Sequence, residues 1–150
     1  MTVRNAIPED AAAIVDFQLK MALETESLTL EPEVVKDGVA ALFHDPSKGC
    51  YFVAEEGGVV VASLMITYEW SDWRNGWVWW IQSVYTAPAF RRRGIYRALY
   101  AYVKSLVLES DNIRGIRLYV DKTNHPAQKV YSALGMNGEH YTTYEWMKKF

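Results

Sequence analysis

The chain has 150 residues, half of them apolar and 23% charged, with a formal net charge of −2. That is enough chain for one ordinary core, and the surface lacks the basic excess of a general nucleic-acid binder. The single Cys50 excludes an internal disulfide, His44, His125 and His140 show no metal-ligand spacing, and no apolar run reaches the length of a membrane span.

Thr2 to Ala6 reads as a short first strand. Pro8, Glu9 and Asp10 then open a helix, because proline and acids suit a first turn. Ile14, Phe17 and Met21 form its apolar side, and Glu24 to Glu31 is polar and acidic. A second helix is expected from Pro32 to about Phe43, with Val35, Val39 and Leu42 on one side, ending in the Asp45–Gly49 turn. Tyr51–Glu55 and Val59 to about Tyr68 form a hairpin around Glu56, Gly57 and Gly58. A turn at Asp72–Gly76 leads into a strand over Trp77–Tyr85, whose nearly continuous apolar character places it inside the sheet. Five of the six tryptophans fall between Trp70 and Trp80. Alternation puts Trp77 and Trp79 on one face and Val78 and Trp80 on the other. At least half of these rings are expected in the core.

Pro88 cannot donate to a ladder and marks the exit from that strand. A long helix follows, with Ile95, Leu99, Tyr102 and Leu106 on one face. After Ser110, Asp111 and Asn112, the residues Ile116, Leu118 and Val120 alternate with Arg117, Tyr119 and Asp121 as a strand. Asn124, His125 and Pro126 open a last helix that runs to Leu134 and stops at Gly135. Tyr141–Met147 reads as a final strand. No repeat or linker divides the chain, so residues 1–150 are expected to form a single domain. The order predicts an α/β (α+β) fold, with a mixed, mostly antiparallel sheet flanked by about four helices.

Most of the functional information lies in Val84–Leu99. A loop at a helix N-terminus presents unpaired backbone N–H groups and the positive end of the helix dipole, and Gly94 lets a ligand approach the backbone. Such a place binds phosphate. Three consecutive arginines, Arg91 to Arg93, are by themselves commonly a solvated turn. Their position after a buried strand and before an amphipathic helix favours the functional reading.

This stretch resembles the acetyl-CoA pyrophosphate loop of the GNAT superfamily of N-acetyltransferases. The family pattern is Arg or Gln, two residues, Gly, one residue, then Gly or Ala. Arg91, Arg92, Arg93, Gly94, Ile95 and Tyr96 lie on it, with Tyr96 in place of the small last residue. Val84–Phe90 matches the strand ending that precedes this loop in the family. A second landmark, Asn124, Ala127, Tyr131, Gly135 and Met136, matches the family's later helix. The resemblance covers essentially the whole chain and implies a single GNAT-type domain with splayed central strands.

The resemblance also implies a reaction: transfer of acetyl from acetyl-CoA to a primary amine, with acetyl-CoA as cosubstrate and no metal. Val84, Tyr85 and Thr86 would meet the pantetheine arm, the Val84 N–H serving the thioester oxygen. Arg91, Arg92, Arg93, Gly94, Ile95, Tyr96 and Arg97 would hold the pyrophosphate. Asn124 and Pro126 would stand at the pantetheine arm, and Tyr131 resembles the general acid. Gln82 stands where many relatives have a Glu, so it would orient water or substrate rather than take a proton.

Glu24, Glu26, Glu69 and Asp72 are the acids expected on the acceptor side. Trp70 and Trp73 with the Glu24–Glu26 segment would wall a pocket for a cationic amine. With no cysteine in the motif region, direct transfer in a ternary complex is expected. Leu30–Gly38 and the overall length loosely resemble the diamine acetyltransferase branch, which points to a small polyamine-like or amino-acid-like acceptor. A protein amino group is the other acceptor class. A non-catalytic acyl-CoA-binding or sensing module is the rival reading, favoured by Gln82 and opposed by Tyr131. Many relatives are dimers, so a homodimer is expected. A cytoplasmic protein without nucleic-acid or membrane partners follows from the composition and from an N-terminus, Met1–Arg4, without a signal-peptide core.

Overall fold

One five-stranded sheet organises the N-terminal part of the chain. The computed structural model describes residues 1–149. Its strands are β1 (Thr2–Asn5), β2 (Cys50–Glu56), β3 (Val59–Ser71), β4 (Gly76–Thr86) and β5 (Ile113–Arg117), and they lie side by side in that order. β1 to β4 are antiparallel neighbours, whereas β5 runs parallel to β4. A parallel partner requires a crossover, and helix α3 (Ile95–Glu109) provides it. Helices α1 (Ala11–Glu26) and α2 (Pro32–His44) connect β1 to β2, and α4 (His125–Ala133) follows β5. The chain forms two compact units, Met1–Arg117 and Leu118–Phe150, the first holding the sheet with α1 to α3 and the second holding α4.

The β2–β3 hairpin turns on Gly57 (φ 58°) and Gly58 (φ 78°). Two consecutive positive φ values match the twist of the flanking strands, and glycine adopts them without strain. Tyr51, Val53 and Met65 pack against Ile14 of α1 and Val39 and Leu42 of α2. On the other face, Phe52 meets Tyr102 of α3 and Trp79 of β4. The inward stripe of α3 is Ile95, Leu99, Tyr100 and Val103, while Tyr102 and Leu106 are only half-buried. Leu99 and Val103 are fully buried, which stabilises the fold by about 1.5–3 kcal/mol for each side chain. Arg4 ties β1 to the start of α1 through Asp10 (2.7 Å) and to β2 through Glu55 (2.7 Å).

Three expectations are corrected. β5 spans Ile113–Arg117 rather than the expected alternation from Ile116 to Asp121. Its start is set by β4, whose Trp77 N–H donates to the Asn112 carbonyl at 2.8 Å, and Gly115 leaves no mark in an apolar alternation. Tyr141–Met147 forms no strand, and Tyr141, Tyr144, Trp146 and Met147 are exposed. Strand preference is expressed only against a neighbouring strand. The tryptophans are not core: Trp70, Trp73 and Trp77 are exposed, and Trp79 and Trp80 are half-buried. Pairing of β2 with β3 stops at Cys50↔Ile66, so the β3–β4 hairpin overhangs its neighbour and carries these rings beyond the packed layers.

Candidate functional site

β4 loses one neighbour halfway along. Its parallel ladder with β5 ends at the pair Trp80↔Arg117, while β4 continues through Ile81–Thr86 beside β3. The two strands therefore part, and the second half of β4 presents one edge that β5 does not cover. The β3–β4 register also slips there. Met65 pairs with Gln82 and Ser63 with Tyr85, so Ser83 and Val84 together oppose Leu64. Ser83 takes a left-handed φ of 52°. This bulge brings Gln82 and Tyr85 onto the same face, the α1 side, and takes Val84 out of the regular ladder.

The chain leaves β4 through a short turn, Pro88–Phe90, and enters α3 by way of Arg92 (φ 62°) and Gly94 (φ 77°). The first helical bond runs from the Ala98 N–H to the Gly94 carbonyl, 3.0 Å. Helix geometry gives the preceding amides no carbonyl four residues back, and the first turn of α3 holds no acidic residue. A Cβ at Gly94 would meet nothing within 4 Å, so the backbone angle requires the glycine and the space beside it stays open.

The arginines of this loop divide their work. Arg91 pairs with Glu24 of α1 (2.8 Å), donates from Nε to the Thr86 carbonyl (2.9 Å) and lies over the Tyr85 ring. Arg93 pairs with Glu56 at the end of β2 (2.9 Å) and lies over Phe90. Arg92 and Arg97 are exposed and form no ion pair among the described residues. Two guanidiniums therefore hold the loop in place, and two remain for an anion. Glu24 also accepts the Tyr85 hydroxyl (3.1 Å), whose ring stacks on Phe17. The Arg91 guanidinium holds the Glu24 carboxyl below its usual range.

Farther along the same face of β3 and β4 runs a polar row. Gln82 donates to the Thr67 hydroxyl, and Trp80 Nε1 donates to Glu69 at 2.8 Å. Arg117 Nη1 donates to both Glu69 oxygens, at 2.9 and 2.8 Å. The Trp80 N–H and then Arg117 hold the Glu69 carboxyl below its ordinary value. Trp70 lies elsewhere: its ring meets Trp77, and Trp77 with Trp79 flanks Tyr68 on the α3 side of the sheet. Trp73 is 88% exposed in the turn, and Glu26 is exposed on the last residue of α1. The structure thus joins Glu69 and Gln82 in one row, but the sheet separates Trp70 from Glu24.

In the second unit, the Asn124 side chain caps α4 by accepting the Ala127 N–H at 3.2 Å, with Pro126 in the first turn. Tyr131 is half-buried, and burial pushes its phenol pKa up. The Met136 N–H returns to the Tyr131 carbonyl (3.0 Å) past the left-handed Gly135. No group of three or more His, Cys, Asp or Glu residues among the described residues could hold a metal ion.

The model of the acetyltransferase (GNAT) family matches residues 16–136. The chain belongs to that family. It is an N-acetyltransferase, and acetyl-CoA-dependent acyl transfer is the family's chemistry. A crystal structure described as a possible acetyltransferase, from Clostridium difficile 630, is 42% identical, with 99% of this chain and 98% of that one covered and a TM-score of 0.92. Two more distant structures share the fold. One is a predicted acetyltransferase with acetyl-CoA from Clostridium acetobutylicum (20% identity, 96% and 95% covered, TM-score 0.72). The other is AAC(6')-Iy in complex with a CoA bisubstrate analog of acetylneamine (16% identity, 99% and 98% covered, TM-score 0.77). No curated protein matches the sequence.

Several residues that shape this candidate site escape a reading by motif. Ser83 makes the bulge, yet a serine in a strand gives no signal of a left-handed backbone. Thr67 and Trp80 join the row only through strand register, and Arg117 reads in sequence as one half of an alternation. Opposite charges at Glu24 and Arg91, far apart in the chain, meet only because α1 lies beside the end of β4.

Proposed function

We propose that this acetyltransferase moves the acetyl group directly from acetyl-CoA to the primary amine of a small molecule, polyamine-like or amino-acid-like, within one domain over residues 1–150. The observation that carries this reading is the parting of β4 from β5 beside an uncapped helix start. Val84, Tyr85 and Thr86 offer the freed strand edge to the pantetheine arm, as an added strand would use it. The amides from Arg92 to Arg97 take the pyrophosphate, with the Arg92 and Arg97 side chains supplying charge and Arg91 and Arg93 holding the loop. Acetyl-CoA supplies the acetyl group as an activated thioester.

The Val84 N–H, released from the regular ladder by the bulge, donates to the thioester oxygen as negative charge grows there. Tyr131, kept protonated by its burial, gives its proton to the departing sulfur, and Asn124 and Pro126 flank the arm. Gln82 orients the amine or a water molecule. Glu24 and Glu69 are both occupied by arginine, so the amine's proton leaves through water. The protein is cytoplasmic and acts as a homodimer, for which the exposed Trp70 and Trp77 supply an apolar surface.

The test is release of CoA from acetyl-CoA with polyamines, amino acids, aminoglycosides and lysine peptides in turn. Turnover with a small amine supports the reading. Turnover confined to lysine peptides replaces it with a protein acceptor, and bound acetyl-CoA without turnover across the panel overturns it.

A further inference from the structure

Beyond Ile66 the outer edge of β3 has no strand beside it. β2 stops at the pair Cys50↔Ile66, while β3 runs on to Ser71 along β4. Successive residues of a strand turn their N–H and C=O groups alternately to its two sides. The Ser71 carbonyl accepts the Arg74 N–H inside the turn (3.2 Å), so Ser71 faces β4. Thr67 and Glu69 then face the same way, and Tyr68 and Trp70 turn their backbone groups outward, past the end of β2. Proteins blunt such edges with short strands, charge or proline. The outer strands of the sheet follow that rule: β1 has four residues and carries Arg4, and β5 carries Arg114 and Arg117. Thr67–Ser71 holds no lysine, arginine or proline, and its one charge, Glu69, is tied to Arg117 at 2.8 Å. Its rings are already in place. Tyr68 lies beside Trp77 and Trp79, and Trp70 meets Trp77 edge-on at 5.1 Å. Even so, Trp70 is 52% and Trp77 38% exposed.

This edge is complementary to itself. A strand that meets a second copy of itself antiparallel is related to it by a two-fold axis. An axis perpendicular to the sheet keeps each face on its own side, so opposed residues share a face and the axis passes through a residue. With Glu69 on the axis, Tyr68 opposes Trp70 of the second copy and Trp70 opposes its Tyr68, so every outward-turned residue exchanges its bonds. An axis at Tyr68 would set Trp70 against Ile66, which β2 already occupies. An axis at Trp70 would set Tyr68 against Asp72, beyond the end of β3. With the axis at Glu69, Trp70 and Trp77 of both copies join on the α3 side. Glu69 faces its own copy, a like-charge pair that costs stability, offset by the arginine each carboxylate holds. A tryptophan buries at most about 250 Å², so the rings and edge cover less than the roughly 800 Å² per partner of a standard interface. The contact is therefore weak, with a Kd on the order of micromolar.

We infer that the partner of this edge is a second copy of the chain: residues 67–71 of two subunits pair antiparallel about a two-fold axis at Glu69 and join the two sheets into one. This rests on the homodimer of the reading above and gives it a place and a register. The pairing uses the same edge on both subunits, so assembly stops at the dimer.

The experiment is sedimentation velocity of the full chain from about 1 to 100 µM, a range that brackets a micromolar Kd, with amide hydrogen exchange measured at both ends. A monomer–dimer equilibrium is expected, with exchange in residues 67–71 slowed in the concentrated sample. Trp70→Lys should raise the Kd at least about tenfold. Val34→Lys, at an exposed position on α2, should leave it unchanged. In a Cys50→Ala background, Glu69→Cys should give a disulfide-linked dimer on mild oxidation, because opposed residues of a non-hydrogen-bonded pair lie about 4.5 Å apart at Cα; no cross-link overturns the register. A dimer in which residues 67–71 exchange as in the monomer, or which Trp70→Lys leaves intact, overturns the inference, while a homodimer through another surface stands. A chain that is monomeric throughout overturns both, leaves acetyl transfer untouched and frees the edge for an extended segment of another protein. The wild-type exchange alone decides should Trp70→Lys fail to fold.

Discussion

Two helices of this protein begin in opposite ways. α4 starts with Asn124, whose side chain satisfies the Ala127 amide, so the helix closes its own end. α3 starts with Gly94, which has no side chain to cap with and a left-handed φ of 77° that few other residues accept. A Cβ added at Gly94 would meet nothing within 4 Å, and the first turn holds no acid. A capped start stabilises a helix, whereas an uncapped start beside a freed strand edge and two exposed arginines is the feature on which the proposed pyrophosphate site rests. In the proposed reading, a bound pyrophosphate would complete the end that the α3 side chains leave open.

The largest effect that can test this contrast lies on α4, outside its cap. Tyr131→Phe should lower kcat about 100-fold, the low end for loss of a general acid, with little change in the KM for acetyl-CoA. Burial raises the Tyr131 pKa, so the phenol stays protonated from neutral pH upward and the wild-type rate should not fall on that account between pH 7 and its ordinary value near 10. A near-normal kcat in Tyr131→Phe would mean that α4 contributes only structure.

Next in size is Gly94→Val. Forcing a branched residue into the left-handed region costs about 1–2 kcal/mol, or roughly 2–8 °C in Tm for a chain of this size. The loss at the ligand should be greater. Blocking two amide contacts to a phosphate, about 1.5 kcal/mol each, raises the acetyl-CoA Kd roughly 100-fold by calorimetry. An affinity within threefold of wild type would break the comparison, since the α3 start would then be no anion site.

Asn124 separates capping from ligand contact. Asn124→Ala should cost about 1 kcal/mol in thermal unfolding. Asn124→Asp keeps the capping oxygen and removes the amide donor. Its Tm should match wild type, and a raised acetyl-CoA KM in this variant would add a ligand role to the cap. The smallest effect belongs to Glu24→Gln, which unties Arg91. Both side chains are well exposed, so the pair is worth under about 1 kcal/mol. The folded-state pKa of Glu24 is depressed, so this contribution is present above the ordinary carboxylate pKa and disappears as pH falls through the lowered value. The Tm difference between wild type and Glu24→Gln should therefore close on acidification, and a constant gap from pH 7 to pH 3 would contradict the pairing.

Much of this was legible in one dimension. The Gly57–Gly58 hairpin, the helices α1 to α4 and the loop at Gly94 follow from local chemistry and apolar period, and the structure has them within a few residues of the expected bounds. The tryptophans misled because alternation tells which face a ring takes but not whether anything covers that face. β2 stops short of the hairpin they occupy, so their faces stay partly open. The pairing of the acids was hidden for a related reason. Glu24 and Glu69 look available in sequence, and both are matched by arginines distant along the chain.

The sequence by itself determined the family, the order of elements along the chain as far as the last helix, and the glycine-started helix that follows β4, because each depends on residues close together in the chain. Only the tertiary structure decided that β5 ends at Arg117, that Ser83 and Val84 bulge out of the ladder, and that Arg91 and Arg93 hold the loop while Arg92 and Arg97 face solvent. These features belong to pairs of strands and to ion pairs across tens of residues. Their energies exist only once both partners are in place, so no local pattern can carry them.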